Sequence, residues 1–181
     1  MTDPCTFPSS PRLLLTLLLG GVLLGVPGPG VSFAQEGELS VPASSLEGVE
    51  AFYVEAVADS ELASMDLGPR DLQGRVGIRL FQGGVRILSE EDYLEDPEAP
   101  LVFVSLNTLR ISGTKVAYYV SIAVLQGVSL LRDPEVQLAA TTWRTDELGQ
   151  LAGLDRTALL EILDRKTEEL VADYVAANPA D

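Results

Sequence analysis

The chain has 181 residues, 27 of them acidic against 12 basic, for a formal net charge of −15. A surface this negative is repelled by phosphate backbones and anionic lipid headgroups, which excludes nucleic-acid binding as a main role. With no histidine and a single cysteine, Cys5, the chain also lacks the groups for Ser-His-Asp or Cys-His catalysis and for the common zinc, copper and haem ligand sets.

The first residues have the plan of a signal peptide. Arg12 precedes an apolar run, Leu13 to Val26, which ends at the break Pro27–Gly30 and is followed by the small residues Ser32 and Ala34, so cleavage is expected after Ala34 and residues 1–34 form the leader peptide. The run falls short of the roughly 20 residues of a membrane span, and "PGPG" would stop a helix. A retained anchor is the alternative. No cysteine follows the apolar region, so a lipoprotein signal is absent. The remainder, Gln35–Asp181, keeps the same net charge and is long enough for one domain with a core. Having no cysteine, it must hold together by packing alone.

Residues 35–47 are rich in Ser, Gly, Glu and Pro and read as a flexible leader to a single domain over 48–178. "VEAFYVEAVA" from Val49 alternates and is the first strand, apolar on both faces. A helix follows, with Pro69 in its first turn. Leu72, Val76 and Leu80 form its buried stripe, widened by Phe81, while Arg70, Arg75 and Arg79 stay in water. Gly74 and Gly77 each cost this helix about 1 kcal/mol relative to alanine, and close packing of helix on sheet is the ordinary reason to keep them. Gly83 and Gly84 stop it, and "VRILS" from Val85 is a second strand.

"SEEDYLEDPEAP" gathers Glu90, Glu91, Asp92, Glu95, Asp96 and Glu98. It lacks the alternating ligands and the turn glycine of a calcium loop, and reads as a solvated acidic loop or short helix. A strand through Val102, Val104, Leu106 and Thr108 then runs into a hairpin turn at Ser112–Lys115.

"VAYYVSIAVLQGVSLL", Val116–Leu131, contains no charge. Tyr118, Val120, Ile122, Val124, Gln126, Val128 and Leu130 share one parity, and the other holds the smaller Tyr119, Ser121, Ala123, Leu125, Gly127 and Ser129. Period two with one heavy face predicts a half-buried strand rather than a membrane span. After a turn at Arg132–Pro134, "EVQLAATTWRT" gives a fifth strand, with Val136, Leu138, Ala140 and Thr142 on one side and Trp143 on the other. A polar link, Asp146–Gly153, leads to an amphipathic helix capped by Asp155, with Leu160, Leu163, Leu170, Val171 and Tyr174 inward and Asp164, Arg165, Glu168 and Glu169 in water.

The expected fold is therefore α+β. It is a two-layer sandwich in which a mixed five-stranded sheet, in β-α-β-β-β-β-α order, carries two helices packed on one face.

The stretches "GVRILSEEDYL", "LVFVSLNTLR", "YYVSIAVLQGVSLLRDP" and "ATTWRTDELGQL", with the terminal helix, resemble a group of exported bacterial proteins of uncharacterised role, over about Leu46 to Pro179. The layout is more distantly similar to small envelope domains of the curli-secretion, penicillin-binding-protein-activator and Tol translocation types. That resemblance implies an adaptor or assembly role and brings no catalytic residues with it.

The expectation is a non-enzymatic protein, exported to the periplasm or beyond, with no cofactor. Its partner would be an envelope protein or a cell-surface component. The candidate interface is the sheet face left free by the helices, assigned Tyr119, Ser121, Gln137, Thr141 and Trp143, with Trp143 filling the core as the alternative. A second expectation is a small-ligand or lipid-binding protein with a pocket between sheet and helices near Tyr53, Tyr93 and Trp143. A hydrolase using two carboxylates is a third, and it requires an acidic pair at catalytic separation in a cleft.

Overall fold

The computed structural model describes residues 41–96 and 98–179, and the fold begins inside the segment expected to be a flexible leader. The chain divides into two units, Met1–Glu36 and Gly37–Asp181, and every described residue lies in the second. The expected cleavage after Ala34 and the leader residues 35–40 lie outside the described residues. Val41–Ser44 form a short helix, α1, and Leu46 is completely buried. This entry segment is fixed by the far end of the chain: Gly48 N–H donates to Asn178 Oδ1 at 2.8 Å and Asn178 Nδ2 donates to Leu46 O at 2.9 Å. The folded domain thus starts before residue 48, because an apolar side chain within the polar run has a place in the core.

Five strands follow: β1 (Ala51–Ala58), β2 (Arg86–Ile87), β3 (Leu101–Ser112), β4 (Lys115–Leu130) and β5 (Asp133–Leu151). Their order across the sheet is β2-β1-β3-β4-β5, with β1 parallel to both β2 and β3 and the rest antiparallel. The sheet is mixed, as expected. Between β1 and β2 lie a 3-10 turn, Ser60–Met65, and the helix α2 (Pro69–Gln82). The acidic segment forms α3 (Glu90–Glu95), whose N-terminal Ser89 accepts from Asp92 N–H at 3.1 Å while Asp92 Oδ2 accepts from Ser89. This is the reciprocal arrangement that satisfies otherwise orphaned helix N–H groups. The final helix, α4 (Arg156–Ala177), starts at Asp155, whose carboxylate accepts from Thr157 and Ala158 N–H.

α2 and α4 cover one sheet face. Cross-strand neighbours share a face, so the rows Val54–Val102–Val124–Trp143 and Ala56–Val104–Ile122–Thr145 point toward the helices. They meet Leu72, Val76 and Leu80 from α2 and Leu159, Leu163 and Leu170 from α4, all fully buried. Each such side chain contributes roughly 1.5–3 kcal/mol of transfer free energy.

Three differences from the sequence expectation have local causes. β2 pairs through only two residues, and beyond it Gln73 Nε2 donates to Val54 O at 2.7 Å, replacing the missing strand on the edge of β1. Phe81 does not widen the α2 stripe but is 71% exposed, and a Cβ added to Gly74 or Gly77 would meet nothing within 4 Å, so close packing on the sheet does not explain either glycine. Finally, Asp146–Leu151 continue β5 instead of forming a link, pairing as far as Leu151 with Val116.

That extension lets β5 and α4 run alongside each other. Trp143 Nε1 donates to Asp173 Oδ2 at 2.7 Å, Thr145 bonds Glu169, and Glu147 pairs with Arg165. Two residues along a strand and four along a helix advance nearly the same distance, roughly 6.7 and 6 Å. One spacing therefore serves all three contacts.

α2 and α4 are joined by charge. Asp164, expected in water, accepts from Arg75 Nε at 2.7 Å and Nη2 at 2.6 Å and also from Arg79. Burial pushes the Asp164 carboxyl upward, but its hydrogen bonds and charge contacts with Arg75 and then Arg79 outweigh this and hold it below the ordinary carboxylate value. The arginine side chains are 37% and 38% exposed, so screening limits the contribution to about 1 kcal/mol.

Asp164→Asn should lower stability by about 1 kcal/mol at neutral pH. Because the folded pKa is depressed, the wild-type advantage is fully present above the unfolded value of about 4 and lost as pH falls through the folded value. Urea melts of both proteins across that range should converge in acid. A constant difference at every pH would contradict the assignment.

Candidate functional site

The opposite face of the sheet carries neither long helix. Its rows are Tyr53–Leu101–Leu125–Thr141, Glu55–Phe103–Ala123–Arg144 and Val57–Ser105–Ser121–Asp146, followed by Asn107–Tyr119–Leu148 and Leu109–Ala117–Gln150. At the β1 side α3 reaches over this face, and Tyr93 stacks on Tyr53 with ring centroids 4.5 Å apart and planes 14° from parallel. Away from that stack no helix among the described residues covers the face, although Ser121 and Ala123 at its centre are only 7% and 8% exposed between larger neighbours.

Four of the five candidate residues are here. Tyr119 and Ser121 are two places apart on β4, Thr141 lies opposite Leu125, and Gln137 lies opposite Ser129 on the portion of the β4–β5 hairpin that extends past the start of β3. Trp143 is not with them. Val124 pairs with Trp143 but the next residue, Leu125, pairs with Thr141, so Thr142 is an extra residue in β5. A bulge of this kind reverses which face the later residues occupy. It sends Trp143 to the helix side, where it is 3% exposed and bonded to Asp173.

The same inversion separates the aromatic trio of the pocket expectation. Tyr53 and Tyr93 stack on the open face while Trp143 lies under α4, so the three do not line one cavity. Among the described residues, no group of three or more His, Cys, Asp or Glu side chains is placed to share a metal ion.

Further open-face residues were hidden by the bulge, for Arg144, and by the expected end of β5, for Asp146, Leu148 and Gln150. Arg144 Nη2 donates to the Tyr119 hydroxyl, and Arg144 Nε lies 3.1 Å from Asp146 Oδ1, giving a polar strip beside exposed Leu148 and Leu109. The signal was present in the alternation of Asp146, Leu148 and Gln150 with Glu147, Gly149 and Leu151, although the glycine and charges read as a link. The edge of the helix side is sealed by Tyr118, whose hydroxyl donates to Glu147 Oε1 at 2.8 Å. Arg165 and then Tyr118 hold the Glu147 carboxyl below its ordinary value, while the bond to Glu147 raises the Tyr118 phenol. These groups close the core rather than face the open surface. The open face thus combines aromatic, aliphatic, hydroxyl and guanidinium groups, suited to recognition by area and hydrogen bonding.

No protein-family model and no curated protein matches the chain. Among solved structures, it is similar to a PelC variant from Paraburkholderia phytofirmans, crystallised as a dodecamer, at 15% identity and a TM-score of 0.41, with 71% of this chain and 90% of that one covered. It is also similar to a minor lipoprotein from Acinetobacter baumannii at 14% identity and a TM-score of 0.34, over 72% and 93% of the two chains. Rare lipoprotein B from Shewanella oneidensis is similar at 19% identity and a TM-score of 0.26, over 70% and 88%. Among the described residues, no helix is long and apolar enough to cross a membrane.

Trp143→Ala should cost about 3–5 kcal/mol, from the cavity and the loss of the Asp173 contact. Tyr119→Ala, on the half-buried open face, should cost less than about 1.5 kcal/mol. Chemical denaturation of the two variants distinguishes the faces; equal losses would contradict the assignment of Trp143 to the core.

A second variant tests how tightly the helix side closes. Gly149 lies opposite Tyr118, and a Cβ there would overlap the Tyr118 ring and hydroxyl. Gly149→Ala should therefore displace the ring and cost about 1–3 kcal/mol. Thermal melts should show this loss, and an unchanged melting temperature would place Tyr118 elsewhere.

Proposed function

We propose that the protein is a non-enzymatic binding module of the bacterial envelope that docks a partner protein through the open face of its sheet, in the region of Tyr119, Ser121 and Thr141. The observation that carries this reading is the unequal treatment of the two sheet faces. One is filled by α2 and α4; the other presents half-buried Phe103, Leu125 and Tyr119 beside exposed Leu109 and Leu148. Apolar area interleaved with hydroxyl and guanidinium donors gives both a driving force and orientation for association.

The acidic composition favours a protein partner over nucleic acid. The leader-like first 34 residues support placement outside the cytoplasm. On the open face itself the carboxylates Glu55 and Asp146 are separated by β3 and β4 instead of facing each other across a cleft, which favours binding over hydrolysis there.

A photo-crosslinking side chain placed at Tyr119 in cells should capture a discrete partner, and Leu148→Asp in the same protein should abolish the adduct. The same probe at Val175, on the exposed side of α4, should not give that adduct. Capture that is identical from both positions, or unaffected by Leu148→Asp, would remove the open face as the docking surface.

A further inference from the structure

The helix layer holds a second surface feature, and its chemistry differs from that of the open sheet face. Arg70, Arg75, Arg79 and Arg156 line one cleft of about 750 Å³ between α2 and the start of α4, together with Leu67, Leu72, Ile78 and Leu160. In a chain with 12 basic residues and a net charge of −15, four guanidinium groups in one cleft form a local exception to the surrounding field.

The four are not equivalent. Arg75 and Arg79 are engaged by Asp164 at the cleft wall. Arg156 uses its Nε on Met65 O at 2.7 Å, which leaves its two terminal nitrogens. The Arg70 side chain makes no hydrogen bond or ion pair among the described residues, and the residue is exposed. Asp66 and Asp71 also border the cleft, and Asp71 Oδ2 accepts from Gly68 N–H at 3.0 Å.

On the other flank of α2 lies an apolar groove. Arg70, Gly74 and Ile78 border both; beyond them the groove is lined by Val54, Gly77, Phe81, Ile87 and Leu88, with a volume of about 570 Å³. Its origin is the brevity of β2: past Ile87, this edge of β1 is met by Leu88 N–H on Phe52 O and by Gln73 Nε2 on Val54 O. Ile78 and Phe81 stand 61% and 71% exposed at its margin. Among the described residues, nothing lies within 4 Å of a Cβ placed on Gly74 or Gly77. Both volumes lie in the range of small-molecule sites.

We propose that this α2 surface binds a single-chain carboxylate amphiphile, of the fatty-acid class, with its head on Arg70 and Arg156 and its chain in the groove beside Ile78 and Phe81. Charge complementarity selects the head: a guanidinium pairs with a carboxylate through two parallel hydrogen bonds, and elsewhere the acidic surface repels it. The apolar margin selects the chain, because its burial removes Ile78 and Phe81 from water. The site is independent of the open sheet face, and either assignment can fail without the other.

The test uses decanoate as the probe, titrated below its micelle threshold into the full domain with amide shifts followed by NMR. Butyrate supplies the head alone and decyl maltoside the chain alone. Saturable shifts confined to α2 and the start of α4 are expected with decanoate, with much weaker responses to either control. Arg70→Gln with Arg156→Gln should weaken decanoate binding about tenfold or more, and Phe81→Ser should reduce the gain from butyrate to decanoate. All these positions are exposed; Arg70→Gln and Phe81→Ser should retain the wild-type melting curve, and Arg156→Gln, which gives up its bond to Met65 O, should still unfold cooperatively at a slightly lower temperature. Shifts spread over the whole domain, equal binding of decyl maltoside, or wild-type affinity in the arginine double variant would each overturn the proposal.

Discussion

The match in spacing between β5 and α4 is the constraint on which the arrangement depends. Trp143, Thr145 and Glu147 meet Asp173, Glu169 and Arg165, so every second strand residue faces every fourth helix residue. This registration fixes α4 along its length and brings Asp164 within reach of Arg75 and Arg79 on α2. Both helices are then held over one face, and neither covers the other face. The bulge at Thr142 is part of the same constraint. Without it, Thr141 and Trp143 would share a face and the first rung of the ladder would point away from α4.

The two surfaces of interest arise from different incomplete coverings. The open sheet face exists because both long helices are committed to the same layer; among the described residues, α3 reaches over it at the β1 side, where Tyr93 stacks on Tyr53. The groove on α2 exists because β2 is two residues long and cannot shield β1. The first surface is broad and its arginine, Arg144, is engaged by Tyr119 and Asp146. The second is narrower and holds arginine donors without partners. Breadth suits a protein surface, whereas a shallow apolar groove beside unspent charge suits a small ligand.

Much of this architecture was legible in the residue order. The heavy parity of β4 faces the helices as read, because Val120, Ile122 and Val124 can be buried only together. Leu72, Val76 and Leu80 form the α2 stripe, and Asp155 begins α4, for similarly local reasons. The helical pattern places Phe81 inward, but the sheet beneath it ends with β2. Asp164 was assigned to water by its charge, although Arg75 and Arg79 lie nearly 90 residues away and meet it only when α2 and α4 pack. Of the candidate interface, Tyr119, Ser121, Gln137 and Thr141 share the open face, while Trp143 does not.

By itself the sequence determined the exclusions, the alternation of β4 and the two amphipathic helices, since composition and periodicity are properties of neighbours along the chain. Only the tertiary structure decided the side of the sheet on which Trp143 lies, the partner of Asp164 and the emptiness above Gly74 and Gly77. Those outcomes depend on a one-residue bulge, a helix–helix contact and a short edge strand. Each is set by packing between distant segments, and none leaves a period in the sequence.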